Sequence, residues 1–299
     1  MWYNEQMSGE RMSKRMRQPL YVTDALAVGY TAIHRQPFIL LFSIGLSVYL
    51  WLGRAIGLAL PPNDVQGIVA QWLGTLHAID ARTLLLITNM IPFLAPGPAA
   101  MLPPPIYLPV AQFVSAVVIL NLIALSLSSS FMVLLRQMLL NERPAWKITL
   151  IRSLTVAYRL AGLFGIVGGV LGPLLGLSVL IGFYIPATIP FIYNGWILLG
   201  IFGLIGFGLT PEIITLHNER PVAALRKSWQ LARQRWFAIA TFLAVCAVVE
   251  VGFAQIWHAL ATQPGLLALA IIGNAYIGSG LRAARLQFYR AHAATVALS

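Results

Sequence analysis

The sequence predicts an all-α, polytopic transmembrane helix bundle of about six spans. They form three repeats of an interfacial helix plus a two-span hairpin, in a single integral membrane domain covering residues 1–299. Three observations carry that reading. Hydrophobic residues make up 59% of the 299 and charged residues only 10%, whereas a soluble domain has roughly 25% charged residues. Residues 160–210 contain no Asp, Glu, Lys, Arg or His, a run that only lipid tolerates. Lys and Arg alternate between heavily and lightly charged loops, as the positive-inside rule requires.

The elements follow from length, since a spanning helix needs about 20 apolar residues. Runs of that size lie at residues 37–60, 106–135, 160–185, 189–209, 236–257 and 265–281. The third and fourth form one apolar stretch divided by Pro186 and Pro190. Ahead of the first span stand Arg11, Lys14, Arg15, Arg17 and Arg35. After the second come Arg136, Arg143, Lys147, Arg152 and Arg159, and after the fourth Arg220, Arg226, Lys227, Arg233 and Arg235. The tail adds Arg282, Arg285 and Arg290, so that of the 20 basic residues only Arg54 and Arg82 are left for the other side or the membrane. One span more or fewer would destroy this alternation. Both termini are therefore expected in the cytoplasm of a multi-pass protein of the cell membrane. The N-terminal basic cluster leads into polar Gln18 rather than an apolar core, which argues for a retained anchor instead of a cleavable signal peptide.

The outer loop 61–105 is read as an insertion in the first unit. Val65, Ile68, Val69, Trp72, Leu76 and Ile79 recur at helical spacing, predicting an amphipathic helix on the outer membrane face. Thr83 to Ala95 is apolar but too short to span, and is expected to be re-entrant or surface-packed. Pro96, Pro98, Pro103, Pro104 and Pro105 then lead back to the second span.

Each basic segment reads as a short helix entering a pair of spans. In RPVAALRKSWQLARQR, residues 220–235, Val222, Leu225, Trp229, Ala232 and Trp236 share one face, and Arg226, Lys227, Arg233 and Arg235 occupy the rest. The first unit, TDALAVGYTAIHRQPF, aligns with this stretch without gaps. Leu26 then meets Leu225, Tyr30 meets Trp229, Ile33 meets Ala232 and Phe38 meets Phe237. The middle unit repeats the Arg-Pro pair, with Arg143 and Pro144 matching Arg220 and Pro221, and needs a small gap to align Ser153 with Ser228. The units lie at about 20–140, 143–212 and 217–290.

The stretch AALRKSWQLARQRWFAI resembles the membrane domain at the N-terminus of some bacterial glycerophosphodiester phosphodiesterases, and is similar to related six-span bacterial membrane proteins of uncharacterised function. The resemblance implies a helical domain of the bacterial inner membrane. In those phosphodiesterases catalysis belongs to an attached soluble barrel, and this sequence has no soluble stretch near that size. No catalytic residue is carried over.

The residues themselves show no enzyme signature: no Gly-x-Ser-x-Gly, His-Glu-x-x-His, phosphate-binding Gly-Lys-Ser/Thr or Cys-x-x-Cys. His77, His217 and His258 are scattered without a second ligand at metal spacing, so neither a metal nor a cofactor is expected. The net charge of +11 suggests no nucleic acid, because its basic residues lie in short segments between apolar runs rather than on one water-exposed face. Their partner is the lipid bilayer, with Arg226, Lys227, Arg233, Arg235, Lys147 and Arg152 as contacts for anionic headgroups on the cytoplasmic face.

Inside the membrane an acid is costly, which singles out Glu250. By helical rise it lies about 21 Å in from Trp236, and Arg54 about 24 Å in from Phe38. A pair between them at similar depth is expected, either structural or part of a polar site with Asn121 and Asn274. Gly165, Gly168, Gly169, Gly172 and Gly176 permit close packing, within the chain, against a protein partner or between copies of a homo-oligomer. Cys246 reads as a packing residue. Two functions follow: a non-enzymatic scaffold or lipid-interacting module, or a small-solute or lipid transporter with a site near Glu250.

Overall fold

A computed structural model of the protein describes residues 22–59, 80–84, 88–97, 104–142 and 145–296. The amphipathic helix expected over Val65 to Ile79, the basic cluster Arg11 to Arg17, and the pair Arg143 and Pro144 lie outside them. The described chain is an all-α bundle of a multi-pass membrane protein. Five of its helices are long and apolar enough to cross a membrane, and a sixth crossing results if the bent helix pair at the start counts as one span.

That pair is α1, Val22–Arg35, and α2, Leu40–Leu52, joined through a 3-10 turn at Pro37–Ile39. A residue before proline avoids the helical region, and Gln36 sits at φ −137°, ψ 70°. The chain turns by 92° there. Then follow β1, Ile56–Leu58, the single turn α3, Ala81–Leu84, β2, Ile106–Leu108, and α4, Val110–Leu140. The long α5, Trp146–Tyr184, leads through Pro186–Thr188 to α6, Ile189–Phe207, and the short α7, Thr210–His217. The chain ends in α8, Pro221–Gln234, α9, Trp236–Ala261, and α10, Leu267–Val296.

The break between α8 and α9 falls at Arg235, with φ −131° and ψ 37°. Under the gap-free alignment Arg235 is the counterpart of Gln36, so both amphipathic helices stop at the same aligned residue. The middle segment differs: α5 runs unbroken through 39 residues, straight across Leu160, the aligned position. Asn141 and Asn218 close α4 and α7 in the left-handed region at φ 51° and 53°, where asparagine is tolerated.

The three amphipathic segments pack in a cycle. The start of α5 lies on α4, with Gln137 and Thr149 hydrogen-bonded at 2.9 Å. α8 lies on α6 and α7, where buried Ser228 donates to the Gly206 carbonyl at 2.9 Å. α1 lies on α10, so closely that a Cβ at Gly29 would stand 2.6 Å from the Ala284 nitrogen and the Gly280 oxygen. Each segment thus rests on the last helices of the preceding unit, and α1 closes the ring on the last helix of all. The core inside the ring joins Ala25, Leu160, Ile213, Ala224, Phe242 and Phe288, with the Phe242 and Phe288 rings stacked at 3.9 Å.

The insertion starts and ends on the parallel pair β1–β2, with Ile56 opposite Ile106. The described part of its apolar segment packs against the spans, with Ile91 and Leu94 buried. Irregular backbone at membrane depth survives only when protein satisfies it. Here Ser43 donates to the Pro92 carbonyl at 2.5 Å, and Ser47 and Ser128 accept from the Leu94 and Met90 amides at 3.0 Å each. At its outer end Arg82 is fully buried. It pairs with Asp80 at 2.7 Å and donates to the Leu50 and Gly53 carbonyls at 3.0 and 2.7 Å. Arg82→Ala removes the ion pair and the donor to both carbonyls, and is expected to cost about 3 kcal/mol, read as a lowered midpoint of thermal unfolding in micelles.

The hairpin of α5 and α6 stands apart. No residue from Gly165 to Ile205 is buried, and large apolar side chains such as Val170, Leu175, Phe191 and Leu198 point outward. Lipid covers such a surface.

Candidate functional site

Helix α8 builds the most basic face. Its apolar stripe buries Ala224, Leu231 and Ala232, and the same periodicity turns Arg226, Lys227 and Arg233 outward to exposed positions. Arg226 and Arg233 form no ion pair among the described residues. Lys227 donates to Glu219, and its ammonium holds the Glu219 carboxyl below the usual range. Arg235 is half-buried at the helix break. On the start of α5, Lys147 is exposed beside the Trp146 ring, and Arg152 pairs with Glu142. The sequence-predicted headgroup contacts therefore split. Arg226, Arg233 and Lys147 point to the surroundings; Lys227 and Arg152 share their charge with Glu219 and Glu142.

Within the membrane the structure pairs Glu250 differently from the sequence expectation. Arg54, beyond the end of α2, donates from Nε to the Pro104 carbonyl at 3.2 Å. It stands near the level of Trp51, whose ring meets His258 at 5.9 Å, two turns of α9 past Glu250. The Glu250 carboxylate instead lies 3.9 Å from Arg282, the two side chains being 46% and 17% exposed. Arg282 and Arg285 are not part of a free tail, because α10 continues to Val296 with α1 and α7 packed along it. By helical rise they lie about 22 and 27 Å from Leu267, in the half of the membrane next to the basic face.

Arg285 meets an acid that the sequence reading passed over. Glu212, in the first turn of α7, is fully buried, and its Oε1 lies 2.7 Å from Arg285 Nε. Arg285 Nη2 also donates to the Gly208 carbonyl. The available signal was an acid in TPEIITLH at the edge of an apolar run, followed by Ile213 and Ile214 at core spacing. The macrodipole favours a carboxylate at a helix start.

Asn121 and Asn274 do not join Glu250 in one site. Asn121 accepts from Thr88 at 3.0 Å and donates to the Val117 carbonyl at 2.9 Å, so it clamps the inserted segment. Asn274 is buried within α10. A Cβ at Gly165, Gly168, Gly169, Gly172 or Gly176 would meet nothing within 4 Å, so this glycine face packs against no described part of its own chain. Cys246 is buried in the core. Among the described residues no cluster of three or more His, Cys, Asp or Glu is placed to hold a metal ion.

Fold and charge distribution together define a multi-pass, all-α membrane protein with one strongly basic face and a buried arginine–carboxylate cluster beneath it. No family model matches the chain, and neither a curated protein nor a solved structure matches it.

Proposed function

We propose that this chain is a non-enzymatic, lipid-interacting membrane module of the cell membrane, with its termini and basic helices on the cytoplasmic side. One observation carries the reading: α8 turns Arg226 and Arg233 outward without acidic partners among the described residues while its opposite face is locked into the bundle. Cations held on a rigid helix at the membrane edge attract anionic headgroups at about 1 kcal/mol each. The resemblance of this stretch to the membrane domain of bacterial glycerophosphodiester phosphodiesterases supports a module of this kind in a bacterial membrane, one that works without catalytic residues of its own.

The test is the unfolding temperature of the protein in nanodiscs of phosphatidylcholine alone and of phosphatidylcholine with phosphatidylglycerol. The anionic lipid is expected to stabilise the native chain. Replacing Arg226, Lys227, Arg233 and Arg235 by glutamine should remove about 2–4 kcal/mol of that gain. Equal gains in native and neutralised chains would overturn the proposal.

A further inference from the structure

Beneath the basic face, α10 and the start of α7 line a cavity of about 280 Å³. Arg282, Arg285 and Thr210 contribute its polar wall, and the inserted segment adds Asn89. The charges in it are unevenly satisfied. Arg285 is held closely by Glu212 at 2.7 Å, whereas Arg282 has only Glu250 at 3.9 Å, itself half-exposed. The Thr210 hydroxyl is buried and has no hydrogen-bond partner among the described residues. A cation with a distant partner beside an unused hydroxyl suits an oxyanion, and guanidinium groups match phosphate in geometry. The positive end of the α7 dipole points the same way.

An apolar cleft of about 540 Å³ between α5 and α6 adjoins this cavity, since Val167, Phe207 and Leu225 wall both. From Phe207 the cleft reaches Trp196, eleven residues or about 16 Å along α6. That is half of a hydrocarbon core about 30 Å thick. Gly200 and Gly203 on its wall leave the space open.

We infer that the two cavities form one binding site for an anionic glycerophospholipid of the leaflet next to the basic face. Its phosphate lies on Arg282, Arg285 and Thr210, and one acyl chain lies between α5 and α6. The depth of the arginines fits the headgroup, and the length of the cleft fits a chain confined to one leaflet. This rests on the reading of the chain as a lipid-interacting module, but it places the tightest lipid against α10 and between α5 and α6 rather than on the outer face of α8.

Native mass spectrometry of the full chain, released from micelles with phosphatidylglycerol or phosphatidylcholine, tests the inference. One retained phosphatidylglycerol per chain is expected, with phosphatidylcholine about tenfold weaker. Arg282→Gln removes the headgroup contact and Gly203→Trp fills the cleft from a position where a side chain meets open space. Each should weaken retention about tenfold. Neutralising Arg226, Lys227, Arg233 and Arg235 should leave this lipid in place. Retention unchanged in both site variants overturns the inference, and if the α8 variant alone loses lipid, the proposed function stands without it. Displacement by inorganic phosphate, with Gly203→Trp silent, would show an anion site without a chain and overturn it equally. So would a dimer mass in which a second copy fills the cleft.

Discussion

Replacing Glu212 with leucine is expected to lower the unfolding free energy by about 3–5 kcal/mol, and replacing Arg285 with leucine in the same chain to restore most of it. The carboxylate is fully buried and Arg285 is 12% exposed, so losing either partner leaves the other charge without its nearest counter-ion. Removing Glu212 leaves the guanidinium with the Gly208 carbonyl, too weak a partner for a full charge. Removing both exchanges a desolvated pair for apolar side chains in a site already walled by Phe207, Leu163 and Phe164. Such exchanges are often neutral. Chaotrope unfolding in nanodiscs of the native chain, both single variants and the double variant gives the coupling. Additive losses would show that the two charges act separately and sink the account.

The sequence reading reached the spans because each is a long apolar run that lipid demands, and the charge alternation fixed their number. It reached the shared break at Gln36 and Arg235 through the gap-free alignment, yet it carried the same break into the middle unit, where nothing at Leu160 interrupts a helix. The internal match is longer than the Arg-Pro pair. Asn141-Glu142-Arg143-Pro144 and Asn218-Glu219-Arg220-Pro221 are the same tetrapeptide, and in both copies the asparagine closes a helix in the left-handed region.

The charge cluster was hidden for physical reasons. Length alone ends the last span at Leu281, so Arg282 and Arg285 fell into a tail. They stay helical because α1 and α7 cover α10 beyond that point, a contact between segments far apart in sequence. Glu212 was obscured by the Thr-Pro before it, which reads as a loop until α7 is seen docked against α10. The strands β1 and β2 hold three residues each, too few for a period to show.

Ring closure itself predicts a graded series at glycines. Gly29→Leu should cost about 3 kcal/mol or more, because its Cβ would press on backbone atoms, Ala284 N and Gly280 O at 2.6 Å, and backbone yields only if α1 leaves α10. Gly280→Leu should cost less, since its Cβ runs into the Tyr30 ring, and a ring can rotate at the loss of the Tyr30 hydrogen bond to the Ile277 carbonyl, 3.3 Å long. Gly45→Leu, on α2 with nothing within 4 Å, should change stability by less than about 0.5 kcal/mol. Trypsin supplies a second readout, because Arg35 stands at the α1–α2 corner. If α1 is the closing element, Gly29→Leu speeds cleavage after Arg35 while the helical circular dichroism of the spans persists. Cleavage as slow as in the native chain would mean that α1 holds its place without the close approach to α10, and the ring would then owe its closure to the contacts of α2 and α4 with that helix.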